Sequence, residues 1–326
     1  MITKNAAPTL RRALDPFKDL VSEIVVADTG SIDDTKAILS EYGARVVDVP
    51  WQDDFSAARN AALEHARTDW IFSLDADEFV TRETAEQIAA AVKNPNVEAY
   101  LVDTINYTTE PDDGTLRTSP PLPDLAPYFF VSTKIRLAVR TLRWSGRVHE
   151  LLEIDARRKK CRIGKLNGVV YHDGHIHRPQ RSGYYHSLAR RAFEEGEAHA
   201  GIVTVLALEA VRAGNAEEAF ALFKKAMEME PGSPTPIVWL GKILHKNGRS
   251  SEALVLLQEG LKKTGGHGSI LAEMITIHSE LGEKDCVNTL RTLADRICPD
   301  DPSVTAALAR HSGSASARTP LAGKTS

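Results

Sequence analysis

The first third of the chain alternates short β-branched or aromatic runs with longer stretches of helical spacing. Ile24-Val25-Val26-Ala27 is one such run, followed by Asp28-Thr29-Gly30-Ser31 and a helical stretch to about Tyr42. Ser31 with Asp34 starts that stretch in the manner of a capping box. Residues 45–49 predict a second strand, 55–66 a helix, 70–74 a buried strand, 84–92 a helix and 99–106 a further strand. Strands separated by helices of about 10–12 residues imply βαβ units and a parallel sheet, whose ligands bind beyond the carboxyl ends of the strands. Two polar clusters, residues 28–33 and 75–78, fall at those ends.

Residues 110–127 break the pattern with Pro111, Asp112, Asp113, Gly114, Pro120, Pro121, Pro123 and Pro127, and predict a mobile surface loop. Residues 128–139 and 148–154 predict strands, with the basic run Arg157-Arg158-Lys159-Lys160 as a solvated turn. From about Gly183 to Ile297 the spacing is helical and repeats. Gly214, Gly248 and Gly282 recur in register with Leu222, Leu256 and Leu290, and with the small residues Ala226, Gly260 and Ala294. Three columns in one register are the mark of paired-helix repeats, in which glycine ends the first helix and small residues let the second pack closely. The expected division is an α/β domain over 1–182, helical repeats over 183–300 and a disordered tail over 301–326.

Composition narrows the function. Of 326 residues, 42% are hydrophobic and 26% charged, the balance of a globular chain. Forty Lys and Arg against 44 Asp and Glu leave a formal charge of −4, without the basic excess of a nucleic-acid binder. No apolar run reaches the roughly 18–20 residues of a membrane span. Cys161, Cys286 and Cys298 are too few for a disulfide framework and fit a reducing compartment.

Chemistry concentrates in three segments. Trp70-Ile71-Phe72-Ser73-Leu74-Asp75-Ala76-Asp77-Glu78 delivers two carboxylates from the end of a buried strand, and strand alternation points Asp75 and Asp77 the same way. Such a pair suits a hard divalent cation, Mn²⁺ or Mg²⁺; an acid-decorated helix N-terminus is the plainer reading. Asp28 ends an upstream strand, where its carboxylate can accept a base N–H or a ribose hydroxyl while Gly30 permits close backbone approach. Arg59, in Phe55-Ser56-Ala57-Ala58-Arg59-Asn60, suits a phosphate or else holds one of the acids in place.

In this order the three segments resemble the family 2 glycosyltransferases with a GT-A fold, and most closely their branch with C-terminal tetratricopeptide repeats, over roughly residues 1–300. The resemblance implies that Asn5, Asp28, Arg59 and Asp75 bind nucleotide and that Asp75 and Asp77 hold the metal under its diphosphate. Arg143-Trp144-Ser145-Gly146-Arg147-Val148-His149-Glu150 resembles the acceptor-half segment of that branch, and Tyr171-His172-Asp173-Gly174 a later segment in which His172 is a further metal ligand. Two departures stand out. Met1–Lys4 supplies only the last residues of the family's first strand, so an apolar run is expected upstream, and Asn5-Ala6-Ala7 replaces the usual acidic pair.

The implied activity is inverting transfer from a nucleotide sugar, UDP being the usual carrier, to a saccharide, lipid-linked or peptide acceptor. The repeats would dock the acceptor or a protein partner, in the cytoplasm or peripherally at a membrane. Glu150 is the first choice of base and His149 the second, because a carboxylate is the usual base in inverting transfer; Asp173 is the next candidate. The competing reading is a catalytically impaired relative that serves as a repeat-based binding scaffold. A metal-dependent nucleotidyltransferase would want a Gly-rich phosphate loop near the N-terminus, and residues 5–10 show none.

Overall fold

The computed structural model describes residues 1–109, 117–118, 121–122, 124–148, 150–177, 182–299 and 301–312. They group into two compact units, one from residues 1–110 and 119–198, the other from 111–118 and 199–326. In the first unit β1 (Ile2–Thr3), β2 (Val25–Asp28) and β3 (Arg45–Asp48) form a parallel sheet in the order β1-β2-β3. Helices α1 (Ala7–Leu14) and α2 (Thr35–Glu41) cover it, burying Leu10, Leu14, Ile38 and Leu39 against Val26. Helix α3 (Phe55–Glu64) starts at Asp54, whose Oδ1 accepts from the Ala57 amide at 2.8 Å.

A second sheet follows: β4 (Trp70–Phe72), β5 (Glu78–Phe79), β6 (Ala99–Thr108), β8 (Tyr128–Val139) and β9 (Ile163–His172), in the order β4-β8-β6-β9-β5; a two-residue strand β7 (Arg117–Thr118) precedes β8 in the chain. In this sheet β6 pairs with β9 in parallel, whereas β4 with β8, β6 with β8 and β5 with β9 are antiparallel. Helix α4 (Arg82–Ala91) is capped by the Thr81 hydroxyl and packs Ala85 and Ile88 on Leu74, Val102, Leu137 and Val170.

Two sequence expectations change here. Where a strand was expected over 148–154, Ser145 and Leu151 exchange both backbone hydrogen bonds and close a loop, and α5 (Glu153–Arg158) follows. The buried Asp155 explains the turn, because its carboxylate accepts the Arg143 amide at 3.0 Å and pairs with Arg158 and Lys159. The basic run is therefore the end of a helix, where cations face the negative end of its dipole. Helix α6 (Gly174–His177) is a single turn, and α7 (Ser182–Glu194), expected as the start of the repeats, groups with the first unit. Its Tyr185 ring stacks on Phe55 at 5.5 Å, and its Tyr184 hydroxyl donates to Asp53 Oδ1 at 2.5 Å.

The second unit is antiparallel helix pairs: α8 (Ala200–Arg212) with α9 (Ala216–Met229), α10 (Pro234–Lys246) with α11 (Ser250–Lys263), and α12 (Gly268–Glu280) with α13 (Lys284–Ile297). Gly214, Gly248 and Gly282 take φ of 75°, 75° and 78°, the left-handed conformation that closes each pair. The small-residue column is buried as expected, Ala226, Gly260 and Ala294 all lying in the interior. A Cβ at Gly260 would meet Ile237 Cγ2 at 2.4 Å. Gly260→Ala is therefore expected to lose about 1–3 kcal/mol to overpacking, although alanine is the better helix former by about 1 kcal/mol. Urea unfolding checks this, and a stabilised variant would contradict the packing argument.

The first part of the expected tail is ordered. Pro302–Ser312 is a helix (α14), entered through Asp301, whose Oδ1 accepts the Ser303 amide at 2.9 Å, and its Val304 and Ala307 join the core of the repeats. The rest of the tail, 313–326, lies outside the described residues, as does most of the expected 110–127 loop. Among the described residues no helix is long and apolar enough to cross a membrane.

Candidate active site

A row of polar side chains crosses one face of the second sheet, built by strand alternation. On β8 it takes Ser132, Lys134 and Arg136, on β6 Thr104 and Asn106, and on β9 His172. Arg136 is 2% exposed. Its Nη1 donates to Glu78 Oε2 at 2.6 Å, its Nη2 donates to Glu78 Oε1, and Nη2 also reaches Thr104 Oγ1 at 3.2 Å. This two-pronged pair fixes Glu78, which in turn accepts the Asp75 amide at 2.8 Å.

Residues 75–78 are therefore a turn, closed by the Glu78 amide on the Asp75 carbonyl at 3.0 Å, and not the end of an extended strand. The expected alternation fails for that reason: Asp75 and Asp77 engage different partners. Asp75 Oδ1 accepts from Arg59 Nη2 at 2.7 Å. Burial would raise its carboxyl, but the charges of Arg59, Arg136 and Lys134 hold it well below the usual carboxylate range. Asp77 Oδ1 instead lies 3.6 Å from His172 Nε2.

The orientation of His172 follows from its neighbour. The Asn106 amide nitrogen donates to the Thr104 carbonyl at 3.1 Å and to Ser132 Oγ at 3.0 Å. That leaves Asn106 Oδ1, which can only accept, 2.9 Å from His172 Nδ1. Nδ1 therefore carries a proton, and in the neutral form of the imidazole the Nε2 lone pair faces Asp77. In that form two acceptor atoms face each other. Gly174 keeps that space open: a Cβ there would stand 2.5 Å from Asp77 Oδ2 and 2.6 Å from His172 Nε2. Burial pushes the Asp77 carboxyl up and the charges of Asp75 and Glu78 add to it, while His172 in its protonated form opposes both.

A raised folded-state carboxyl binds its proton more tightly than in the unfolded chain, so stability falls as pH rises through the carboxylate range. Asp77→Asn is expected to be at least as stable as the parent at pH 7 without metal, and to lose that part of the pH dependence. Thermal unfolding from pH 4 to 7 measures both, and a variant less stable at pH 7 would show that Asp77 has a structural role.

Arg59 is the centre of the other half. It is 7% exposed, with Nε donating to Glu150 Oε1 at 2.6 Å, Nη1 to Ser73 Oγ at 3.1 Å and Nη2 to Asp75. Of its two expected roles, phosphate contact and holding an acid, the structure shows the second, and it holds two. Glu150 thus pairs with Arg59 rather than with Arg143 or Arg147; Arg147 pairs with Glu195. His149 lies outside the described residues, as do the side chains of His175 and His177. Asp173 is fully buried, and Arg12 Nη2 donates to it at 2.5 Å.

The Asp28 loop differs from the simple reading of an acid open to ligand. Asp28 is 1% exposed, and its oxygens accept from the Gly30 and Ser31 amides at 3.1 and 2.9 Å and from the Ser31 and Thr3 hydroxyls at 2.5 and 3.1 Å. Burial alone would raise its carboxyl, but the Ser31 and Gly30 donors bring it below the usual range. Asn5, at φ 52°, accepts the Ile32 amide on Oδ1 at 2.8 Å. Both residues thus brace the loop that ends β2.

Sequence reasoning missed Arg136, Asn106 and Lys134, and placed Gly174 in its segment without a role. The signal for the first three was present: polar residues at alternate positions inside two otherwise apolar strands.

The family described as Glycosyl transferase family 2 matches residues 1–149, and the family described as Tetratricopeptide repeat matches residues 210–273. Residues 1–149 thus resemble a family 2 glycosyltransferase domain, and residues 210–273 resemble tetratricopeptide repeats. Over 102 residues it is 44% identical to a TPR repeat-containing protein of Synechococcus elongatus, covering 31% of this chain and 25% of that one. Over 101 residues it is 36% identical to an uncharacterized glycosyltransferase of Rickettsia felis, covering 31% and 35%. Over 153 residues it is 26% identical to the SPbeta prophage-derived glycosyltransferase SunS of Bacillus subtilis, covering 46% and 33%. The matches thus span between a quarter and about a third of the length of these relatives. The site described above falls partly inside the matched glycosyltransferase domain, with Arg59, Asp75, Asp77 and Asn106, and partly beyond it, with Glu150 and His172.

Proposed function

We propose that this chain is a metal-dependent, inverting glycosyltransferase that takes a sugar from a nucleotide donor, UDP-sugar first, to a saccharide, lipid-linked or peptide acceptor. The observation that carries the reading is the facing pair of acceptors, Asp77 Oδ1 and His172 Nε2, across the space kept open by Gly174. A carboxylate and an imidazole, with Asp75 two residues away, are a donor set that fits Mn²⁺ or Mg²⁺. A bound ion there would neutralise charge developing on the departing diphosphate.

The chain's own residues supply the rest. Asn106 holds the His172 tautomer, the Arg136–Glu78 pair fixes the turn that carries Asp75 and Asp77, and Asp28 with Asn5 shapes the loop proposed to meet the nucleotide. Glu150 is the proposed base for the acceptor hydroxyl, with His149 as its alternative. Arg59 sets the position of Glu150 relative to Asp75. The repeats are proposed to dock the acceptor or a protein partner, since stacked repeats present an extended concave surface.

Screening nucleotide sugars for hydrolysis with Mn²⁺, Mg²⁺ or a chelator tests the reading. Divalent-dependent release of the nucleoside diphosphate is expected, with at least a hundredfold loss in Asp77→Asn. Hydrolysis that is indifferent to chelation, or that survives the substitution, would remove the metal assignment.

A further inference from the structure

In the helical repeats, among the described residues, His278, Glu283 and Cys286 bring three ligand-type atoms within 4.8 Å of one another. We propose that they form a binding site for a thiophilic divalent cation, Zn²⁺, separate from the Asp77–His172 pair.

The arrangement is built by the end of α12. The Glu283 amide donates to the His278 carbonyl at 2.9 Å and the Gly282 amide to the Ser279 carbonyl at 3.1 Å, with Gly282 at φ 78°. These are the two hydrogen bonds of a Schellman motif, and they fix the first and second ligand residues backbone to backbone. Cys286 follows Glu283 by three residues in the first turn of α13, which places both on one side of that helix. His278 Nδ1 lies 2.5 Å from Glu283 Oε2, and the His278 side chain is 12% exposed.

The other repeats show that the fold does not require this trio. The same motif recurs at Gly248, where the Arg249 amide donates to the Leu244 carbonyl at 2.9 Å, and at Gly214, where the Asn215 amide donates to the Ala210 carbonyl at 2.8 Å. At the register of His278, Glu283 and Cys286 stand Leu244, Arg249 and Glu252 in one repeat, and Ala210, Asn215 and Glu218 in the other. There the turn is closed by an Arg249–Glu252 ion pair at 2.7 Å, or by Asn215 donating to Glu218 at 2.8 Å. An apolar residue and a local polar pair thus suffice structurally. Only the third turn combines imidazole, carboxylate and thiol.

That donor set selects the metal. A thiolate with an imidazole and a carboxylate suits Zn²⁺, which accepts nitrogen, sulfur and oxygen ligands in a tetrahedral shell; hard Mg²⁺ and Ca²⁺ do not favour sulfur. Three protein ligands leave a fourth position for water or a partner's side chain. Binding displaces the thiol proton, so affinity rises with pH.

Titration of the full chain with Co²⁺, followed by optical absorption, tests the site. One equivalent is expected to give thiolate-to-cobalt charge transfer with the visible bands of a tetrahedral ion, and Zn²⁺ should displace it. Cobalt held by Asp77 and His172 gives no thiolate band, so the two sites are read separately. Cys286→Ser is expected to abolish the band, and His278→Leu, which installs the residue of the preceding repeat, to weaken binding about 10–100-fold without unfolding the helices. Absence of the band, its survival in Cys286→Ser, or unchanged affinity in His278→Leu with the helices intact would each overturn the proposal.

Discussion

Replacing Arg59 with Met is expected to destabilise the chain by about 3–5 kcal/mol, the usual cost of leaving buried charges without their partner. The side chain is 7% exposed and serves Glu150 and Asp75 at 2.6 and 2.7 Å, so its loss strands two acids at once. Arg59→Lys keeps the charge but cannot reach both acids with a planar fork, and should recover only part of the loss. Denaturant unfolding of the two variants, with Glu150→Gln completing a double-mutant cycle, measures the coupling. A loss below about 1 kcal/mol in Arg59→Met, or full rescue by Lys, would mean that the three groups act independently.

Glu150→Gln is the second large effect. Turnover should fall about 10²–10⁴-fold while donor affinity stays nearly intact, because a base acts on the acceptor and not on the nucleotide. The Arg59 contact sharpens this test. The substituted amide keeps one oxygen for Arg59 but loses the ion pair, so a stability loss of about 1–3 kcal/mol is expected alongside. Stability and rate must therefore be read together. Reduced stability with full turnover would make Glu150 a brace for Arg59, whereas His149→Ala abolishing transfer while Glu150→Gln remains active would pass the role to its neighbour.

How far the sequence could be read follows from the range of the contacts involved. The βαβ alternation of the first sheet and the columns of the repeats were legible because both rest on periodicity within one element. The strand 128–139 was placed without error, since it is long and apolar at both ends. The segment after it was misread because Val148-His149-Glu150-Leu151-Leu152 has strand-like composition, while the loop is set by Asp155 accepting the Arg143 amide from 12 residues away. Asp75 and Asp77 were found by spacing, but their divergence was not, since it depends on Glu78 being claimed by Arg136, 58 residues on. Arg59 was legible as a candidate and ambiguous in role for the same reason: its second acid, Glu150, is 91 residues away.

Asp77 and His172 are proposed to hold a divalent ion through which a nucleoside diphosphate binds. Calorimetric titration of UDP into the parent chain and into Asp77→Asn, each with and without Mn²⁺, tests it most directly. UDP is expected to bind the parent at least tenfold more tightly with Mn²⁺ than without, and this gain should disappear in Asp77→Asn while the variant stays folded. UDP affinity that is the same with and without Mn²⁺, or a Mn²⁺ gain that Asp77→Asn retains, would contradict it.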